Sequence, residues 1–137
     1  MTFMAVTKKP DIWRAGVAWV GITDLKRMYD QSMEHFKYFL REQMGDPDKD
    51  AARWADRSAI NFAQNLKAKL LMIHGATDPR CPVDQSRTFR DRLLELGRKE
   101  GEDFEYAEFA DEGHGSTDIE QKIRSFKLLA EYLERVL

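Results

Sequence analysis

The chain has 137 residues, 42% of them hydrophobic and 34% charged, and a net charge of −2. That is one modest domain with enough apolar matter for a core, which argues against disorder. No basic stripe for nucleic acid is present, the longest apolar run (Ala15 to Ile22) is far too short to span a bilayer, and the single cysteine, Cys81, excludes an internal disulfide. With no secretory pattern at the N-terminus, the expectation is a cytoplasmic protein without nucleic-acid or membrane partners.

In chain order, Met1 to Lys9 reads as a helix end with Met1, Met4 and Ala5 on one face, broken at Pro10-Asp11. Ala15 to Val20 is short, apolar and rich in small and β-branched residues, as in a parallel strand covered on both faces. Thr23-Asp24 offers a helix N-cap, and Leu25 to Met44 predicts two short helices. Gly45-Asp46-Pro47 is a turn, followed by a helix over Asp48 to Asp56. Lys69 to His74 is a second buried strand, ending at Gly75. Val83 to Gly97 is a helix with Phe89, Leu93, Leu94 and Leu96 for an apolar stripe. Asp103 to Phe109 is a third strand. The final helix runs from Asp118 to Leu137, with Ile119, Ile123, Phe126, Leu129, Ala130, Leu133 and Leu137 three or four apart. Strands alternating with helices imply a parallel sheet in a single α/β domain, with strand 2 beside strand 1 and strand 3 beside strand 2.

In such sheets the chemistry sits on loops beyond the C-terminal ends of the strands. Two loops carry suitable residues: His74 to Pro82 after strand 2, and Asp111 to Gly115 after strand 3. Adjacent strands would bring Asp78 and His114 to the same edge. There a carboxylate would fix the imidazole tautomer and stabilise the imidazolium that forms when the base takes a proton. Read from the residues alone, the alternatives stay open: Asp78 as a turn residue before Pro79, His114 as a surface-loop histidine. His74 reads as a structural strand-end histidine and His35 as a packing or surface residue of its helix. Ser58 reads as a helix cap and Ser86 as a helix-surface residue. His74, Asp78, Asp111, Glu112 and His114 are candidate metal ligands by type, but no H-E-x-x-H or C-x-x-C pattern supports a metal, and no cofactor is expected.

These motifs together resemble the prolyl oligopeptidase family of serine peptidases, near its acylaminoacyl and dipeptidyl peptidases. His74 to Pro82 is similar to the family's triad-aspartate loop, and Phe109 to Gly115 (FADEGHG) to its catalytic-histidine loop. Ser58-Ala59-Ile60, Asn61-Phe62 and Leu66 resemble the lead-in to the second strand, and Met1 to Val20 the helix and strand after the nucleophile elbow. The resemblance implies a partial α/β-hydrolase fold containing the last three strands of the sheet, with Asp78 as triad acid, His114 as base and Arg80 lining the substrate cleft. The departure is the nucleophile: no G-x-S-x-G elbow occurs in the chain. Cys81, three residues after Asp78, is an alternative nucleophile, more simply read as a packed side chain; Ser116 is expected to point away from His114.

Three functional expectations follow. The chain is a serine-peptidase-like hydrolase portion that lacks the serine and so cannot run the covalent route alone. It is one half of a split peptidase or esterase, completed by a chain bearing the serine. Or it is a non-enzymatic module that self-associates through the edge strand Ala15 to Val20, two copies pairing antiparallel into a six-stranded sheet of a dimer.

Overall fold

The computed structural model describes residues 1–116 and 118–137. Helix α1 (Thr2–Lys8) leads into strand β1 (Ala15–Trp19). Helices α2 (Leu25–Gln31), α3 (Glu34–Met44) and α4 (Ala51–Asp56) and a 3-10 helix (Ala59–Asn65) precede strand β2 (Lys69–Gly75). Helix α5 (Asp84–Glu95), strand β3 (Phe104–Phe109) and helix α6 (Ile119–Val136) complete the chain. The strands form one parallel sheet in the order β1-β2-β3, with Trp19 opposite Ile73 and Gly75 opposite Phe109. The expected α/β architecture and strand order are therefore present.

The alternation of the strands divides the core in two. Ala18, Leu70, Met72 and Phe104 face one way and meet Phe3 and Val6 of α1, Ala59 and Ala63 of the 3-10 helix, and Phe89 and Leu93 of α5. Leu71 and Ile73 face the other way and meet Tyr132, Leu128, Leu133 and Val136 of α6. The central strand is buried from Leu70 to Gly75, each large apolar side chain contributing roughly 1.5–3 kcal/mol. Gly16 lets α1 lie close on β1: a Cβ there would stand 2.9 Å from Val6 Cγ1 and 3.2 Å from Thr2 Cγ2.

Capping explains why α2 starts where it does. Asp24 accepts a hydrogen bond from Arg27 N, and the buried Gln85 Oε1 accepts from the backbone N–H groups of both Thr23 and Asp24. Ser58 Oγ accepts from Leu25 N, so the expected cap residue serves a helix distant in sequence.

Several expectations change. The buried face of α1 is Phe3, Val6 and Thr7, while Met1 is exposed, because the sheet lies on that side. The helix expected from Asp48 starts at Ala51, since Asp46 Oδ1 draws the N–H groups of Asp48 and Lys49 into a turn. Ser86, read as a helix-surface residue, is fully buried. Leu94 is exposed. On α6 the apolar row is only partly covered: Leu133 packs on the sheet, whereas Ile119, Ile123, Phe126 and Leu137 face outward. Periodicity marks an apolar face but says nothing of which neighbour covers it. Among the described residues no helix is long and apolar enough to cross a membrane.

Candidate active site

β2 and β3 end in register, so their following loops leave the sheet side by side. Ala76 N donates to Phe109 O, and both Thr77 N and Thr77 Oγ1 donate to Glu112 O, at 3.0 and 2.8 Å, which ties the two loops together. Across this junction His114 Nδ1 lies 2.8 Å from Asp78 Oδ2. An ionised carboxylate only accepts, so Nδ1 carries the proton and the lone pair of the neutral ring is on Nε2. The side chain of Asp78 is fully buried and that of His114 is 35% exposed, so the imidazole reaches solvent while its partner does not.

The carboxylate is held from behind. Asp78 Oδ1 accepts from Arg80 N and Cys81 N, each at 2.8 Å, leaving Oδ2 for the imidazole. Such backbone donors are what an ionised acid needs in a buried turn. Asp78 is thus both the turn-forming residue and the acid facing a histidine. The two readings left open by its sequence are compatible.

His74 supports the turn from below. Its Nε2 lies 2.8 Å from Cys81 O and its Nδ1 2.7 Å from Ser86 Oγ. A carbonyl cannot donate, so Nε2 holds the proton. Burial lowers the pKa of the ring, leaving it neutral, with Ser86 donating to Nδ1. His74 Nε2 is also 3.6 Å from Asp78 Oδ2, too far for a direct bond. Ser86 is the supporting residue that sequence reading missed. Its only sequence signal is its position three residues before Phe89, on the buried side of α5.

Beside His114 lies a cleft of about 330 Å³, lined by Val20, Ile22, Met28, Phe36, Phe39, Leu40, Arg80 and Cys81. Arg80 is among the lining residues and is exposed. The Cys81 thiol is buried, and burial, reinforced by the charge of Asp78, pushes its pKa up to about 12. At neutral pH it is a packed thiol rather than a thiolate, which weighs against it as a nucleophile. Ser116 Oγ is engaged by the start of the final helix, accepting from Asp118 N and pairing with Gln121 of α6. The candidate metal ligands disperse among protein partners: both nitrogens of His74 are taken, and Asp111 and Glu112 turn to Arg124.

Val20 at the cleft rim has φ 46°, the left-handed region that a β-branched residue rarely enters. Its N–H donates to Ile73 O, so it follows β1 in pairing while turning the chain away from the sheet. This is why the strand stops at Trp19 rather than at Val20.

A parallel sheet with an Asp–His pair on adjacent strand-end loops is the arrangement of an α/β-hydrolase. The sequence profile of the prolyl oligopeptidase family matches residues 1–137, and the chain belongs to that family. It is 32% identical over 119 residues to dipeptidyl aminopeptidase BIII of Pseudoxanthomonas mexicana, covering 83% of this chain and 17% of that protein. Among solved structures, an acylaminoacyl peptidase of Pyrococcus horikoshii superposes with a TM-score of 0.89 at 32% identity, covering 100% of this chain and 22% of the other. An acylaminoacyl peptidase in complex with Z-Gly-Gly-Phe-chloromethyl ketone superposes with a TM-score of 0.88, again at 32% identity, with 100% of this chain and 22% of that chain covered. The chain therefore spans about a fifth of the length of these relatives.

Proposed function

We propose that this chain supplies the acid and the base of a serine-peptidase-type active site, and that the nucleophile is delivered by polypeptide other than these 137 residues. The observation that carries the reading is the 2.8 Å contact between His114 Nδ1 and the buried Asp78, at the mouth of an apolar cleft. His114 Nε2 takes the proton of a hydroxyl nucleophile as it attacks an acyl carbon. Asp78 holds the ring in the required tautomer and stabilises the imidazolium, which then protonates the leaving group. The substrate class is a peptide or an aminoacyl ester with an apolar side chain for the cleft. The ketone-bound relative, whose inhibitor ends in Phe, supports that choice.

The sequence contains no G-x-S-x-G elbow, so the chain alone is expected to leave a fluorophosphonate probe unreacted. The test mixes it with a separately expressed family segment that bears the elbow serine and assays hydrolysis of an aminoacyl ester. Activity that depends on both parts and disappears in His114→Ala supports the reading. Activity surviving His114→Ala overturns it.

A second reading concerns assembly. β1 pairs with β2 alone among the described strands, and Ile119, Ile123 and Phe126 lie exposed on the helix that packs over this part of the sheet, Phe126 against Trp19. An open edge beside exposed apolar side chains favours pairing of two copies through Ala15–Trp19.

A further inference from the structure

We propose that Glu112 and Arg124 are positioning residues for His114, fixing the base loop where its imidazole meets Asp78. The proposal rests on the acid–base reading above. His114 cannot hold itself in place: its ring is partly exposed, and its one hydrogen bond among the described residues is to Asp78. Its neighbours Gly113 and Gly115 have no side chains to anchor, and Gly115 has φ 93°. The anchor is two residues upstream.

Glu112 is 2% exposed, though its side chain carries a charge. A buried carboxylate is costly unless paired, and here Arg124 donates to Oε1 at 2.7 Å. Arg124 is itself fixed by two further contacts, one of them to a residue that is held in turn. It donates to Asp111 Oδ1 at 2.9 Å, its guanidinium stands 4.1 Å from the Phe109 ring, and Gln121 bonds the other oxygen of Asp111. The backbone of Glu112 works in the other direction. Its carbonyl accepts both Thr77 donors, in the residue before Asp78. One residue thus joins three parts: its carboxylate to α6, its carbonyl to the acid loop, and its chain to the base. Loosening the carboxylate end lets the loop drift from Asp78 without touching either catalytic group.

The readout is the tautomer of the His114 ring, followed by long-range proton–nitrogen NMR and assigned with His35→Gln and His74→Gln variants. In the intact chain the proton resides on Nδ1. In Glu112→Ala, and in Arg124→Met, the ratio of Nε2–H to Nδ1–H forms is expected to rise about tenfold, the scale of one charge-assisted hydrogen bond. A lowered stability alone would not move this ratio. A folded Glu112→Ala chain with the unaltered ratio overturns the proposal. If that variant fails to fold, Arg124→Met decides in the same way. If the intact chain itself lacks the Nδ1–H form, or Asp78→Asn does not change it, the acid–base pair falls, a different failure from that of its anchor.

Discussion

Gly75, the last residue of β2, passes directly beneath Glu112, so that a Cβ on Gly75 would overlap the carbonyls of Glu112 and Gly113. These are backbone atoms, and no rotamer change relieves them. Gly75→Ala is therefore expected to push the base loop outward and to destabilise the chain by about 2–3 kcal/mol. Urea unfolding measures this. A variant as stable as the parent would mean that the loop lies elsewhere.

His74 predicts a pH dependence of stability. Its folded pKa is depressed below the ordinary 6.5 by burial, so the unfolded chain binds the extra proton first as pH falls. Stability is therefore fully present above 6.5 and declines as pH drops from there toward the lower folded value. His74→Gln has no such proton to gain and should flatten the slope between neutral and mildly acidic pH. An unchanged slope would show that other groups cause it.

In a reconstituted enzyme, Asp78→Asn should lower kcat by about 10⁴-fold while KM stays within a few-fold, because the amide stabilises the wrong imidazole tautomer. Steady-state kinetics on one aminoacyl ester suffices. A loss confined to KM would make Asp78 a turn residue only.

If β1 is an association edge, sedimentation velocity over a range of concentrations should show a monomer–dimer equilibrium. Ile123→Lys, at a residue 60% exposed, should shift that equilibrium toward monomer without lowering stability. A concentration-independent monomer would remove the pairing hypothesis.

Much of the fold was legible because the central strand holds an unbroken apolar run, Leu70 to Ile73, followed by an amphipathic helix. Lys69–Gly75 could hardly be anything but a buried strand, and the loops beyond it and β3 had to emerge together. Asp78 and His114 followed from that adjacency. The supporting residues did not, for identifiable reasons. Ser86 on a charged helix reads as a surface residue until His74 is seen beneath it. Glu112 reads as one acid among several, since its burial depends on Arg124, twelve residues away and on another element. The outward face of α6 misled in the opposite sense: its spacing promised a core that these residues do not provide for it.

The conformation of Val20 sets two demands against each other. On backbone grounds the position would suit glycine or asparagine better than valine, and holding a branched side chain there costs on the order of 1–3 kcal/mol. Yet the same methyl groups form part of the wall of the apolar cleft beside His114. Replacing Val20 with glycine would relax the chain and at the same time widen the cleft, so in a reconstituted enzyme a gain in stability at this residue should come with a loss of discrimination among substrate side chains.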